Sequence, residues 1–384
     1  MGMRDKFFRA LGLERGLVNI TTANIIAAIV GGIFWLFLAS ILKVANYGEL
    51  NYFISVAMIS SVVSTLGLNV TVMTYLPKGE ELLKNQANRM VLLSNCIILL
   101  PLIFIFHNIS TLALVFGFSI FTMAQAELLG RRNSKKYFYI TVGQRVLQVP
   151  LSLLLYYVIG IDGIILAYAI SSLLFAYDFF KSLKALNFQF KELRSKFSFT
   201  KDVFFVNVSD RIGLYADKLL IAPLFGFEIL GLYQFGFQFF LFLSILPVSL
   251  RFYILPQMAA GVHNKTIIRT SIIITSVISI ISFFVIPELI NSFFPLYRET
   301  IQASQIMVLA IIPWVISTVI GTRFFANGKS RIVLVGSIMR VLSLFILILF
   351  TGGTLGLFGL AMSVLISMSI QSIFFFIANY TSSK

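Results

Sequence analysis

Long apolar runs alternate with short polar gaps along the whole chain, and the runs decide its class. Twelve stretches approach or exceed the about 20 residues that a helix needs to cross a bilayer core. They are 17–42, 49–77, 88–107, 109–130, 136–160, 161–182, 203–226, 227–256, 265–290, 300–326, 331–352 and 355–380. The pattern predicts an all-α integral membrane protein with twelve transmembrane helices. The gaps carry a second signal. Between the runs and at their ends, Lys and Arg collect in the N-terminal segment (Arg4, Lys6, Arg9, Arg15) and in or beside every second gap, as at Arg131, Arg132, Lys135 and Lys136; only Lys43 and Arg298 fall on the other side. Short loops rich in Lys and Arg stay cytoplasmic, so both termini are predicted inside, which an even number of spans satisfies.

The longest polar interval, 183–202, is predicted to be a cytoplasmic linker between a six-helix bundle over 1–182 and a second over 203–384. The halves echo one another. Lys136-x8-Arg145-Val146-Leu147 matches Arg331-x8-Arg340-Val341-Leu342 at an offset of 195 residues, and Gly160-Ile161-Asp162-Gly163 matches Gly356-Leu357-Phe358-Gly359. Six-helix halves in parallel repeat are a transporter plan with the substrate site between them.

Composition narrows the class. The chain is 58% hydrophobic with mean hydropathy +0.94. Its formal charge of +15 is spread over short juxtamembrane loops, which reads as topology and attraction to anionic lipid rather than nucleic-acid binding. One cysteine, Cys96, excludes an intramolecular disulfide, and His107 and His263 near opposite faces offer no metal site, so no metal or organic cofactor is expected. The basic, then apolar N-terminus resembles a signal peptide, but the run is long and lacks a small-residue cleavage site, so it is expected to remain as the first span. Residues 3–13 are expected to form an amphipathic anchor with Phe7, Phe8 and Leu11 towards lipid. The gaps on the outer side are too short to hold a catalytic domain.

Charges at membrane depth are the candidate chemistry, because each costs at least about 2.5–3.5 kcal/mol unless it reaches the interface. Arg251, Arg323, Glu127 and Asp178 lie near cytoplasmic ends and are expected to be interfacial. Span seven differs: Asn207, Asp210, Arg211, Leu214, Asp217, Lys218 and Ile221 fall within an arc of about 120°. Such a stripe lines a hydrated cavity or pairs internally. Span five repeats the pattern with Thr141, Arg145, Gln148 and Ser152, and span eleven places Gly336, Ser337, Arg340 and Ser343 on one side. Arg145 and Arg340 sit roughly 14 Å from the cytoplasmic end, too deep for easy snorkelling. Arg145, Arg211, Lys218 and Arg340 outnumber Asp210 and Asp217, which favours an anionic ligand: Arg forks suit phosphate oxygens, while Asn207, Gln234 and Gln238 suit sugar hydroxyls. The glutamines serve equally as interhelical hydrogen bonds. Lys43 is a further, second-tier cation.

Three segments resemble the Wzx-type polysaccharide (O-antigen) flippases of the multidrug/oligosaccharidyl-lipid/polysaccharide exporter superfamily. They are Asp217-Lys218-Leu219-Leu220-Ile221 with Gly226 and Glu228-Ile229-Leu230-Gly231-Leu232-Tyr233; Tyr47-Gly48-Glu49-Leu50-Asn51-Tyr52 with Leu66-Gly67-Leu68; and Asn327-Gly328-Lys329-Ser330 through Gly359-Leu360-Ala361. The resemblance implies a MATE-like, pseudo-two-fold, V-shaped pair of bundles in the cell membrane. It also implies translocation of a polyprenyl-diphosphate-linked oligosaccharide by alternating access, without enzymatic chemistry. Arg145, Arg211, Lys218 and Arg340 would then hold the diphosphate, and Asp210 and Asp217 would balance them or take a coupling proton or sodium ion. Lipid-linked oligosaccharide, membrane lipids and other glycan-assembly proteins are the expected partners. The alternatives are a multidrug or metabolite exporter of the same superfamily and a non-transporting component or transferase of glycan assembly.

Overall fold

The computed structural model describes residues 15–183, 190–248, 250, 254, 258, 265–327 and 329–381, so the expected anchor at 3–13, Arg251 and His263 lie outside the described residues. The described chain is all-helical. In order, the first half contains α1 (Arg15–Ile41), α2 (Val44–Thr65), α3 (Leu68–Tyr75), α4 (Glu81–Phe106), α5 (Ile109–Gly130), α6 (Ser134–Ile159), α7 (Ile161–Leu174) and α8 (Tyr177–Ser182). The second contains α9 (Lys191–Ser195), α10 (Phe197–Leu243), α11 (Lys265–Phe293), α12 (Ile301–Leu309), α13 (Ile311–Ala326) and α14 (Ser330–Thr381). Among the described residues, eight helices are long and apolar enough to cross a membrane, or nine if α2 and α3, bent by 49° at their junction, form one span. Tyr157, Phe104 and Phe284 are each more than two-thirds exposed. A bilayer supplies the surroundings that such side chains lack in water, and the chain is a multi-pass membrane protein.

Glycines mark where the helices break or touch. Gly226 inside α10 (φ 85°, ψ 168°) and Gly356 inside α14 (φ 55°, ψ −137°) leave helical geometry. Both lie in backbone regions open essentially to glycine alone. Gly160 repeats the Gly356 conformation at the α6/α7 junction (φ 66°, ψ −142°). The second glycine of each Gly-x-x-Gly packs against a carbonyl eight residues earlier: a Cβ on Gly163 would collide with Leu155 O, and one on Gly359 with Thr351 O. These two turns are the same structure at an offset of 196 residues.

That frame corrects the sequence register. Helix starts Ser134 and Ser330 share the offset of 196, and so does the buried face: Ile140, Gln144, Gln148 and Ser152 align with Gly336, Arg340, Leu344 and Ile348, all eight buried. The Arg-Val-Leu match at 195 is therefore one residue out of register. Arg340 occupies the position of Gln144, and Arg145 that of Val341, about 100° apart around equivalent helices.

The described fold divides into two compact units. One comprises the chain up to Gly31 with Phe53–Arg211; the other comprises Gly32–Tyr52 with Ile212–Lys384. Helices α1, α2 and α10 each contribute to both. In the first unit, Val72, Leu83, Ala87, Val91 and Ile120 form a buried cluster. In the second, Ile221, Leu230, Phe240, Met307 and Leu360 do so. Lipid gives apolar helices little reason to associate, so close approach matters more than burial alone. At the crossing of α2 with α10, a Cβ on Gly48 would collide with Phe227 O and one on Gly231 with Val44 O, placing backbone directly on backbone.

Candidate functional site

Helix α6 starts at Asn133, whose side chain accepts from Lys136 N, and carries Arg145, Gln148 and Ser152 on one face. The Arg145 Nη1 donates to Gln148 Oε1 at 2.8 Å, and the guanidinium lies 4.9 Å from the Tyr168 ring centroid. Helix α1 passes alongside with no side chain in the way, since a Cβ on Gly31 would stand 3.9 Å from the guanidinium carbon. Arg145 thus has neutral partners, and among the described residues it forms no ion pair with a carboxylate. Gln148 and Ser152 are buried, yet Gln148 Nε2 and Ser152 Oγ have no hydrogen-bond partner. Unpartnered polar atoms next to a half-buried cation are suited to a polar, anionic ligand.

The polar stripe of α10 does not face one environment. Asn207 and Arg211 are half-buried and Asp210 is exposed, all three in the first unit, whereas Asp217 and Lys218 are buried in the second. Asn207 Nδ2 donates to Asn69 Oδ1 at 3.2 Å, and Arg211 Nη1 approaches Met58 Sδ at 3.9 Å. Lys218 donates from Nζ to Asp217 Oδ1 at 2.8 Å, to Asp217 Oδ2 at 3.0 Å and to Leu214 O at 2.9 Å. Tyr233 O–H donates to Asp217 Oδ2 at 2.7 Å, and the ammonium sits 4.4 Å from the Phe237 ring centroid. The pair is closed: its side chains are 2% and 4% exposed. Lys218 offers no spare charge in this arrangement, because all three ammonium donors are engaged.

In the second unit, Arg340 is buried against a glycine. Its Nη1 donates to Gly213 O at 3.0 Å, its guanidinium carbon lies 5.5 Å from the Trp314 ring centroid, and a Cβ on Gly213 would collide with Nη2. Sequence reasoning missed Gly213; the available signal was a glycine within an otherwise polar helical stripe. Gln234 and Gln238 are buried one turn apart on α10, and Gln234 Oε1 has no hydrogen-bond partner. Lys43 and Arg323 are exposed.

Glu127 departs from the interfacial expectation. It is 6% exposed and accepts from Lys84 Nζ at 3.0 Å and Arg131 Nε at 2.9 Å. Arg131 also grips Glu81 with two bonds of 2.7 Å. The hydrogen bonds that Arg131 donates to Glu81 and then to Glu127 push its guanidinium above its ordinary value, so it stays charged throughout the physiological range. The partners of Glu127 are 43 residues before it and one turn after it, which a reading by depth alone does not connect. Asp178 pairs with Lys136 and is partly exposed.

Solved structures share this fold. The lipid II flippase MurJ in an inward closed conformation matches with a TM-score of 0.78 at 13% identity, over 94% of this chain and 87% of that one. A mutant of the Vibrio cholerae MATE transporter VcmN matches at 0.66 and 14% identity, over 96% of each chain. A MOP superfamily transporter from Pyrococcus furiosus, described by a binding pocket of reverse polarity, matches at 0.63 and 14% identity, over 96% and 95%. No protein-family model matches the sequence, and no curated protein does. At these identities the likeness is one of fold: that of lipid flippases and MATE transporters.

Proposed function

We propose that the chain is a twelve-span flippase that carries a polyprenyl-diphosphate-linked oligosaccharide across the cytoplasmic membrane by alternating access, with both termini inside. The observation that carries this reading is Arg145: a guanidinium in the middle of a span, held by neutral partners beside the unpartnered Gln148 amide and Ser152 hydroxyl. A diphosphate satisfies the cation in two-point contact, and sugar hydroxyls satisfy the amide and hydroxyl. The prenyl tail stays in lipid, so only the polar head requires shielding. Within the first unit Arg211 is a further anion contact, with Asn207 as a hydrogen-bonding partner; Arg340, Gln234 and Gln238 are the candidate contacts that the second unit offers by itself. Asp217 balances Lys218, and Asp210 is the carboxylate for a coupling proton or sodium ion.

Element length supports the proposed twelve crossings. At 47 and 52 residues, α10 and α14 would extend about 70 and 78 Å if straight, more than twice a hydrocarbon core of about 30 Å. Each breaks at a glycine near its middle and so counts twice; the bent α2/α3 pair and the shorter α7 supply the remaining two.

The deciding experiment deletes the protein from its host and asks on which leaflet lipid-linked oligosaccharide accumulates. Inner-leaflet trapping, relieved by the unaltered gene and not by Arg145→Ala, is the expected result. Unchanged lipid distribution with altered drug sensitivity would replace this reading with the exporter.

A further inference from the structure

Away from Arg145, the first unit carries a second concavity, an apolar groove of about 680 Å³. Its direction can be read from the contacts beside it. Lys196 Nζ pairs with Glu80 Oε1 at 3.1 Å, Phe199 meets Tyr75 edge-on at 5.5 Å, and Thr71 and Thr200 share a hydrogen bond of 3.0 Å. The start of α10 therefore runs antiparallel to α3, with its polar end at the α3/α4 turn. Gly67 permits this approach: its φ of 76° favours glycine, and a Cβ there would collide with Thr200 O and Phe204 N. Groove residues then sort by depth. Arg194 stands at the polar mouth; Lys201, five residues past Lys196, lies about 7.5 Å further in and has a side chain long enough to snorkel back to it, while Leu68, Met90, Phe204 and Phe205 line the interior.

Leu68 is ten residues from Lys78 at the polar turn, a rise of about 15 Å and thus half of a hydrocarbon core of about 30 Å. The groove has the depth of one leaflet. Its interior is almost wholly apolar, and both mouth cations are exposed, with no ion-pair partner among the described residues. An amphiphile with a hydrocarbon chain and a negative head group matches both ends, because cations near the membrane surface attract an anionic head group.

We infer that this groove is a binding site for one anionic membrane phospholipid, with an acyl chain between α3, α4 and α10 and the phosphate at Arg194 and Lys201. The site is separate from the Arg145 constellation and does not depend on what that constellation transports. It would tie α9 and the start of α10 to the bend at Gly67.

The test is native mass spectrometry of the full chain purified in mild detergent, delipidated, and titrated with phosphatidylglycerol or phosphatidylcholine. The expected result is one phosphatidylglycerol retained at least tenfold more strongly than phosphatidylcholine. Arg194→Glu with Lys201→Glu should abolish the head-group preference, and Met90→Trp, which fills the groove, should reduce retention of both lipids. Thermal stability of the unaltered protein should rise with phosphatidylglycerol and not with phosphatidylcholine, which keeps the inference testable if a variant fails to fold. Equal retention of the two lipids by the unaltered protein would overturn the site. So would undiminished preference in the charge-reversed variant, or an isoprenoid phosphate as the species that co-purifies.

Discussion

The Asp217–Lys218 pair shows how much a buried charge depends on its partner. Removing one member of such a pair leaves an uncompensated charge and costs about 3–5 kcal/mol, whereas replacing both with apolar residues is often neutral. Asp217→Asn is therefore expected to lower the thermal unfolding midpoint sharply in detergent, and Asp217→Leu with Lys218→Met to restore it. If the single and double variants unfold alike, the closed pair is not what holds this region. Restored transport in the double variant would further assign the pair to structure alone. The glycine beside Arg340 supports a second prediction. Gly213→Val must displace the guanidinium, which is the far end of a flexible side chain, so the change should disturb the position of Arg340 more than the stability of the fold. If the chain acts as proposed, glycan export should fall as far as in Arg340→Ala, measured by complementation of the deletion; full export by Gly213→Val would remove Arg340 from the proposed contacts.

Among the helices, the two matched Gly-x-x-Gly turns predict matched effects. Gly160→Ala and Gly356→Ala each force a side chain into a backbone region that costs on the order of 1–3 kcal/mol, and both should lower the unfolding midpoint similarly. Gly353 is the control. It lies in α14 with no atom within 4 Å of a built Cβ, so Gly353→Ala should be neutral or slightly stabilising. A large difference between the two turn variants would argue against equivalent halves. Periodicity and apolar length made the helices themselves legible, and the repeat was visible in Gly160 and Gly356. Its register was not, because Arg-Val-Leu matched at 195 by composition while backbone geometry sets 196. The stripe on α10 was likewise legible as a stripe but not as two environments. Lys218 finds its carboxylate one residue away and a carbonyl one turn back, and a helical wheel shows neither bond.

At the scale of the molecule, an all-helical, multi-pass membrane fold was legible from hydrophobic spacing, while the contacts of Arg145 were not. Its partners are Gln148 on the same helix, Tyr168 on the next and the bare backbone of Gly31 far upstream. Sequence spacing could supply only the first. Arg145→Lys is expected to lose export nearly as completely as Arg145→Ala, because an ammonium cannot make the planar two-point contact. Near-normal export by the lysine variant would reduce the role of this residue to its charge.

Tyr233 and Asp217 lie sixteen residues apart on α10, on either side of the break at Gly226, and their hydrogen bond closes a short hairpin. During biosynthesis this hairpin becomes complete as soon as Tyr233 is made, long before α11 or α14 exists. The aspartate and lysine can thus enter the bilayer already neutralised and capped by a hydroxyl, and neither must wait, exposed to hydrocarbon, for a distant helix to arrive.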